Sequence, residues 1–235
     1  QTILFSATMP PKMLQLAKTI LINPVEVSIA LSKPPESINQ QVYWVFDTQK
    51  IPLIQHILGE QPYKSVLIFC SRKQTVKQLT AQLQRRGYDA KEIHSDLDQS
   101  QREEVLLGFA SKRLPILVAT DILSRGIDID QIELVINYDV PPDGEDYVHR
   151  IGRTARAATK GAAITLVNQE DFIKFKRIEK LIGKEIEKAV VPTALGETPQ
   201  FQQHRSNPKT KSSGNKKIIK LNRSETPPPH QKHQP

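Results

Sequence analysis

The run Val66-Leu67-Ile68-Phe69-Cys70 decides the fold expected of this chain, because consecutive apolar residues suit a strand that is buried on both faces. Runs of the same kind recur at residues 116–120, 134–137 and 162–167. Strands without a polar face are typical of parallel sheets, whose two sides are both covered. These runs therefore predict the centre of a largely parallel sheet.

Stretches with helical periodicity separate these runs. Predicted helices cover residues 47–58, 74–86, 99–111 and 171–182, and further predicted strands cover residues 41–46 and 90–94. Strands that alternate with helices form a parallel sheet with helices on both of its faces. The sequence thus predicts an α/β fold, with one domain over residues 38–191.

Composition limits the class of protein. The chain has 235 residues, of which 38% are hydrophobic and 25% are charged, enough for one ordinary core and part of a second. The single cysteine, Cys70, lies inside an apolar run, which indicates a buried thiol in a reducing compartment. The sequence has no apolar stretch of membrane-spanning length and no signal-peptide pattern. We therefore expect a soluble, cytoplasmic protein with no membrane partner.

The positive charge is concentrated in the C-terminal segment, residues 192–235. This segment has eight Lys or Arg against two Glu, so it carries +6 of the chain's net charge of +8. It is rich in Pro, Gln, Ser and Asn and poor in large apolar residues, which predicts a disordered tail. A basic tail suits loose, salt-sensitive attachment to nucleic acid, or to a protein partner. The alternative is a solubilising tail without a partner.

Polar clusters follow the predicted strands at their carboxyl ends, where open α/β sheets collect their ligand-binding groups. They are Ser71 and Arg72 after the first run, His94, Ser95 and Asp96 after the second strand, and Thr120 and Asp121 after the third, followed by Arg125-Gly126-Ile127-Asp128. We therefore expect one edge of the sheet to hold most of the chemistry.

A cluster of arginines follows the fourth of these strands. The segment His149-Arg150-Ile151-Gly152-Arg153-Thr154-Ala155-Arg156 places three arginines three positions apart beside a histidine. Guanidinium groups grouped this tightly need a partner that is dense in negative charge. A nucleotide triphosphate is the leading candidate.

These motifs, in order and spacing, resemble the later motifs of DEAD-box RNA helicases. The matching residues are Ser6-Ala7-Thr8 with Met9-Pro10, Leu67-Ile68-Phe69, Gln99 with Arg102, Ala119-Thr120-Asp121 with Arg125 to Asp128, and Tyr147 to Arg156. The resemblance covers roughly residues 1–190 and implies a RecA-like fold. The basic, proline-bearing tail is similar to that of the bacterial RhlE-like members.

The resemblance implies roles at a nucleotide site shared by two RecA-like domains. Arg153 and Arg156 match the arginine fingers that reach the γ-phosphate of ATP. Asp128 matches the ribose contact, with Gly126 keeping the backbone close. His149 matches the residue that links this site to Ser6 and Thr8 across the domain interface. The Mg²⁺ ion of the family is held mainly by the first domain, and no residue pattern predicts a metal site in this chain.

Other positions resemble the family's contacts with the RNA backbone, which carry little sequence information. They are Arg72, Gln99, Arg102, Thr120 and Gly126. From the residues alone, the favoured interpretation of Arg102 is a helix-surface residue paired with Glu103, Glu104 or nearby acids. Likewise, His94 and Asp96 are candidates for a turn and a helix cap.

The sequence departs from the family's pattern in two ways. Ala155 and Ser95 stand where glycine is usual, so a backbone angle reserved for glycine would be disfavoured there. In addition, the chain has neither a Gly-x-x-x-x-Gly-Lys-Ser/Thr motif nor Asp-Glu-Ala-Asp. In the family these elements precede the Ser-Ala-Thr motif, so we expect a C-terminal fragment that is inactive alone.

The expected organisation has four parts. Residues 1–30 are the end of a first RecA-like domain, with a helix over 11–21 and a strand over 25–29, and residues 31–37 are a linker. Residues 38–191 are the second RecA-like domain, and residues 192–235 are the disordered tail. The alternative hypothesis is a stand-alone RNA-binding or annealing module that acts through the basic tail.

Overall fold

A parallel sheet forms the centre of the computed structural model, which describes residues 2–5, 9, 11–27, 34, 37–121, 132–154 and 161–200. Its strands are β1 (Ile38–Trp44), β2 (Val66–Phe69), β3 (Ala90–Ile93), β4 (Ile116–Ala119), β5 (Leu134–Asn137), β6 (Gly161–Val167) and β7 (Glu187–Lys188). The helices are α1 (Pro11–Ile20), α2 (Asp47–Glu60), α3 (Lys73–Arg85), α4 (Gln99–Ala110), α5 (Gly144–Ile151) and α6 (Phe172–Ile182).

The strand order is β3-β4-β2-β5-β6-β1-β7, and the strands pair in parallel. Every residue of β2, β4 and β5 is buried, as their uninterrupted apolar sequences require. Strands β2, β4, β5 and β6 coincide with the predicted runs to within one residue at each end. The predicted parallel α/β sheet is therefore confirmed.

Alternate residues of β2 pack against helices on opposite sides of the sheet. Val66 and Ile68 share one cluster with apolar residues of α2 and α3, whereas Leu67 and Phe69 share another with Phe109 of α4. A third cluster joins β6 to α5 and α6. Side chains of a strand point alternately to its two faces, so both faces of the sheet are covered.

The N-terminal segment contains helix α1, as predicted, but residues 25–27 do not form the predicted strand. Their side chains are exposed, with Val25 at 91% and Val27 at 83% of full exposure. A strand needs a neighbouring backbone to satisfy its amide and carbonyl groups, and here residues 25–27 are not part of the sheet. The assignment of residues 1–30 to a preceding domain stays a prediction.

The folded chain continues beyond residue 191, where the composition predicted the tail to begin. Strand β7 pairs with β1, and a 3₁₀ turn follows at Thr193–Leu195. The buried Gln49 of α2 donates to the carbonyl oxygens of Leu195 (2.8 Å) and Glu197 (2.9 Å). These two hydrogen bonds attach the segment around residues 195–197 to α2, although this segment has few apolar residues that could pack against the domain. The rest of the predicted tail, residues 201–235, lies outside the described residues.

Among the helices of the described part of the chain, none has the length and apolar character needed to cross a lipid bilayer.

Candidate functional site

The strand ends meet at one edge of the sheet, as predicted. In the register, Phe69 at the end of β2 lies beside Ala119 of β4 and Asn137 of β5, and Ala119 also lies beside Ile93 of β3. The polar residues that follow these strands are therefore neighbours in space. This edge is called the carboxyl edge below.

Helix α5 brings the Arg150 side chain to the carboxyl edge, carries His149 on the preceding position, and is followed by Arg153. Asp143 caps the helix by accepting a hydrogen bond from the backbone amide of Asp146 (2.9 Å). The buried Tyr147 anchors it, since its hydroxyl donates to Gln40 Oε1 of β1 (3.0 Å). The helix ends at Ile151 with Gly152 as its C-cap, and His149 and Arg153 are both partly exposed.

The backbone around Arg153 is held on both sides. On one side, its own amide donates to the carbonyl oxygen of Arg150 (3.2 Å), which continues the turn of α5. On the other side, the buried Thr154 donates from Oγ1 to the carbonyl oxygen of Ile132 (2.5 Å). The backbone that carries Arg153 is therefore fixed in place.

Arg150 does not face a ligand, which corrects the interpretation of the three arginines as one anion-binding group. Its side chain is 0% exposed and lies over the Phe69 ring, 5.1 Å from the centroid. Its Nε donates to Asp121 Oδ1 (2.7 Å), and Nη2 lies 2.6 Å from the same oxygen. Nη1 donates to Asn137 Oδ1 (3.2 Å) and to the carbonyl oxygen of Asp139 (3.0 Å). The negative partner of this arginine is internal.

A second buried charge, Lys50 of α2, lies at the same edge. Its Nζ is 3.4 Å from Asp139 Oδ1, 3.1 Å from Asp47 Oδ1 and 4.8 Å from the centroid of the Tyr138 ring. The other oxygen of Asp139, Oδ2, accepts a hydrogen bond from the backbone amide of Ser71 (2.8 Å). Partial burial alone would raise the pKa of Asp47, but a hydrogen bond from Asn168 and the Lys50 ammonium hold it below its ordinary value.

Cys70 is fully buried beside these charges, as predicted for a strand thiol. Burial raises the pKa of Cys70 well above its ordinary value, and the Asp139 carboxylate adds to the effect. The thiolate is the nucleophilic and metal-binding form, so this thiol is inert in the folded protein.

Two of the predicted RNA contacts carry open hydrogen-bonding atoms at the carboxyl edge. Within the described part of the chain, neither Thr120 Oγ1 nor Arg102 Nε has a hydrogen-bond partner, although both atoms are buried. Arg102 Nη2 donates to the carbonyl oxygen of Ser95 (3.1 Å), and Glu103 accepts instead from Gln99 Nε2 (2.8 Å). Arg72 is exposed just before α3.

The turn after β3 differs from the predicted helix cap. Asp98, not Asp96, caps α4 by accepting from the backbone amide of Gln101 (2.8 Å). Asp96 instead contacts Lys73 (2.8 Å) and Lys77 (3.1 Å) of α3. The hydrogen bonds from these two ammonium groups lower the pKa of Asp96 to about 2. The buried His94 supports the turn, because its Nδ1 accepts from the Asp96 amide (3.2 Å).

Several predicted site residues lie outside the described residues and stay predictions. They are Ser6, Thr8, Gly126, Asp128 and Arg156. In the described ranges, no three His, Cys, Asp or Glu side chains gather in a way that would hold a metal ion.

Sequence reasoning missed two members of the site, Lys50 and Asp139, and gave a third, Arg150, an external anion as its partner where the structure gives it Asp121. A signal existed for Asp139, because it lies two residues beyond the end of β5, as Ser71 does beyond β2, and the strand-end rule applies to both. Arg150 lies on the helix face of Tyr147 and Ile151, which are both buried. For Lys50 we find no comparable signal.

Comparison with known proteins decides the family. Residues 49–158 match the family described as helicase conserved C-terminal domain. The E. coli DEAD-box protein SrmB, solved bound to regulator of ribonuclease activity A, is 32% identical with a TM-score of 0.62, and the match covers 70% of this chain and 95% of that one. The chain belongs to the DEAD-box helicase family. The RecA-like fold expected of this DEAD-box chain is thereby confirmed.

Two further relatives show how much of a DEAD-box protein this chain represents. The human probable ATP-dependent RNA helicase DDX47 is 40% identical over 188 residues, which are 79% of this chain and 41% of that protein. S. cerevisiae Dbp5, solved bound to RNA and ADP BeF3, is 30% identical with a TM-score of 0.71, and the match covers 79% of this chain and 50% of that one. The DEAD-box chain thus spans about two fifths of the length of its human relative.

Proposed function

We propose that this chain is the C-terminal part of an ATP-dependent RNA helicase, in which it supplies arginine fingers, a ribose contact and contacts with the RNA backbone for local duplex unwinding. The observation that carries the proposal is that Thr120 Oγ1 and Arg102 Nε, two buried donor atoms at the carboxyl edge, have no hydrogen-bond partner in the described part of the chain. These open polar atoms suit a nucleic acid strand, and the arginines that follow α5 suit a triphosphate. Membership of the DEAD-box family supports both halves of the proposal.

On the nucleotide side, Arg153 and Arg156 face the γ-phosphate of ATP, which is a substrate of the reaction. Negative charge spreads over the phosphoryl oxygens in the transition state, and a positioned arginine there is worth roughly 10³–10⁵ in rate. Asp128 and Gly126 hold the ribose, and His149 contacts Ser6 and Thr8 across the domain interface. The resemblance to DEAD-box helicases implies that the Mg²⁺ ion is held mainly by the preceding domain.

On the RNA side, Thr120 Oγ1 and Arg102 Nε donate to phosphate or sugar oxygens of one strand, together with Arg72, Gln99 and Gly126. Two buried donors without a partner in the described part of the chain support this assignment, since such atoms are costly unless a ligand completes them. Contacts with phosphate and sugar carry no base information, so RNA binding is independent of sequence. The basic tail adds loose, salt-sensitive attachment to RNA or to a protein partner.

The test uses the complete protein, in which the preceding domain and this chain form one polypeptide. We expect RNA-stimulated ATP hydrolysis from the complete protein and none from residues 1–235 alone. Arg153→Ala is expected to lower ATP turnover by roughly 10³ or more, with RNA affinity nearly unchanged. Arg113→Ala is the matched control, because Arg113 is exposed in the turn before β4, away from the carboxyl edge, and contacts Ser111 Oγ (3.0 Å).

Three outcomes would contradict the proposal. ATP turnover by the isolated chain would mean that it is not a dependent part of a larger enzyme. Equal losses of ATP turnover and RNA affinity in Arg153→Ala would mean that this arginine holds RNA. RNA binding without ATPase in the complete protein, abolished by deletion of residues 192–235, would favour the stand-alone RNA-binding module.

A further inference from the structure

We infer that Asp139 is a positioning residue that couples the RNA-facing turn after β2 to the nucleotide-facing helix α5. The inference rests on the proposed function and adds to it the physical connection between its two ligand sites. Asp139 lies just past the end of β5, between the two regions that it joins.

The two connections are made by different groups of Asp139. Its side-chain Oδ2 accepts from the backbone amide of Ser71 (2.8 Å), and Ser71 directly precedes Arg72, a predicted RNA contact. Its backbone carbonyl oxygen accepts from Arg150 Nη1 (3.0 Å), and Arg150 lies one turn before Arg153. A displacement of the turn after β2 therefore acts on the same residue as a displacement of α5.

Arg150 extends the connection to a third loop. Its Nε and Nη2 both contact Asp121 Oδ1, at 2.7 and 2.6 Å, and Asp121 directly follows Thr120. The ends of β2, β4 and β5 are thus joined to α5 by one continuous set of contacts. Because Arg150 is fully buried, these contacts are not exchanged freely for water.

Lys50 raises the free-energy cost of moving the Asp139 carboxylate away from Ser71. Its ammonium group is 2% exposed and lies 3.4 Å from Asp139 Oδ1, so the carboxylate is held by a lysine on one oxygen and by Ser71 on the other. Without Asp139, the buried Lys50 ammonium keeps only the exposed carboxylate of Asp47 as its charged partner, which is unfavourable. The turn after β2 and helix α5 are therefore expected to move together with Asp139 and not independently.

The test measures the coupling between the two ligands in the complete protein. Affinity for a single-stranded RNA is determined with and without a non-hydrolysable ATP analogue, and affinity for the analogue with and without RNA. The ratio of RNA affinities with and without the analogue equals the ratio of analogue affinities with and without RNA, because binding linkage is reciprocal. This common ratio is the coupling factor. We expect a wild-type factor in the usual range of about 5–150, which Asp139→Ala reduces to about one. Affinity for each ligand alone is expected to stay nearly unchanged.

Two further variants separate positioning from structural support. Asp139→Asn keeps an oxygen acceptor for the Ser71 amide but removes the charge that pairs with Lys50, so it is expected to retain part of the coupling that Asp139→Ala loses. Glu179→Ala removes a comparable group, a buried carboxylate of α6 that accepts from the Ile186 amide (2.9 Å) and contacts Lys176 (2.7 Å). Glu179 lies far along α6 from the carboxyl edge, so its loss is expected to lower stability and leave the coupling factor unchanged.

The outcomes decide between the inference and its alternatives. A folded Asp139→Ala protein with the wild-type coupling factor would overturn the inference, and so would an equal loss of coupling in Glu179→Ala. If Asp139→Ala does not fold, Ser71→Pro decides in the same way, because proline lacks the amide that donates to Asp139 Oδ2. Proline also fixes the backbone angle φ and replaces the hydroxyl, so Ser71→Ala, which keeps the amide, is its control. A wild-type protein with neither coupling nor RNA-stimulated ATPase would instead contradict the proposed function.

Discussion

Arg150 and Arg153 carry the same side chain three positions apart, yet one is fully buried and the other is partly exposed. The difference follows from where α5 ends. Arg150 is still within the helix, on the face that buries Tyr147 and Ile151, whereas Arg153 lies beyond Gly152, where the chain has left the helix. The spacing of arginines along the sequence therefore indicates a dense positive charge. It does not indicate which of the arginines is accessible to a ligand.

Asp96 provides a test of electrostatics at a single residue. Hydrogen bonds from Lys73 and Lys77 lower its pKa from 3.8 to about 2. A carboxylate with a lowered folded-state pKa stabilises the protein above its unfolded-state pKa, and this contribution disappears as pH falls through the folded-state value. We therefore expect Asp96→Asn to be less stable than wild type above about pH 4, with the difference vanishing towards pH 2.

The measurement is urea unfolding of wild type and Asp96→Asn between pH 2 and pH 7. Both ammonium groups are exposed, so added salt should reduce the difference at neutral pH. Asp89→Asn, at an exposed position just before β3, serves as the control. A difference that is constant over the whole pH range would show that the effect does not come from the charge of Asp96.

At the scale of the elements, the backbone geometry at the end of α5 determines the position of Arg153. A Cβ atom added to Gly152 would come within 2.9 Å of the carbonyl oxygen of Val148, which is backbone and cannot rotate away. Gly152→Ala is therefore expected to displace the residues that follow α5. Because a misplacement of about 1 Å can cost roughly 10²-fold in rate, we expect the complete protein to lose about 10–100-fold in ATP turnover.

Gly59→Ala is the matched control for this change. Gly59 lies in α2 with no heavy atom within 4 Å of the position that a Cβ would occupy. Alanine in a helix is favoured over glycine by about 0.5–1 kcal/mol, so this variant should be slightly more stable and equally active. ATP turnover and thermal unfolding of both variants check the expectation. Full activity in Gly152→Ala would mean that the geometry after α5 does not matter for catalysis.

The elements that sequence predicted best are those with a strong local pattern, such as the apolar strands β2, β4 and β5. Strand β1 begins earlier than predicted, at Ile38, because the polar Gln40 is buried with Tyr147 as its partner. Strand β7 has only two residues, both exposed, and pairs with the edge of the sheet. Neither feature has a periodicity that could have predicted it.

At the scale of the whole molecule, the carboxyl edge was predictable, but the contacts within it were not. The strand-end rule places Ser71, Thr120 and Asp139 at one edge once the sheet is known to be parallel. The contacts themselves join residues far apart in the chain, 68 positions for Ser71 and Asp139 and 29 for Asp121 and Arg150. Such pairings depend on the strand order, in which β2 lies between β4 and β5, and no local pattern encodes that order.

Apolar surface is unevenly distributed over the described residues. Most of their exposed large hydrophobic side chains lie in the first 27 residues, including Phe5 at 89% and Ile22 at 93% exposure. Exposed apolar groups on this scale are typical of a surface that another part of a protein covers. This supports the prediction that residues 1–30 belong to a preceding domain, which stays a prediction.

Because Cys70 is buried, its reaction with a thiol reagent can be used to measure the local stability of the sheet. Its thiol sits at the end of β2, in the middle of the sheet, with a raised pKa and 0% exposure. A thiol reagent such as dithionitrobenzoate can therefore react only after the sheet opens, and its reaction rate should report the free energy of that opening. We expect labelling to be slower than in the urea-unfolded chain by orders of magnitude. Rapid labelling of the native protein would contradict this expectation. If labelling of Cys70 is slow, a cysteine introduced at an exposed position, such as Ser111→Cys, can be labelled with a dye selectively in the native protein.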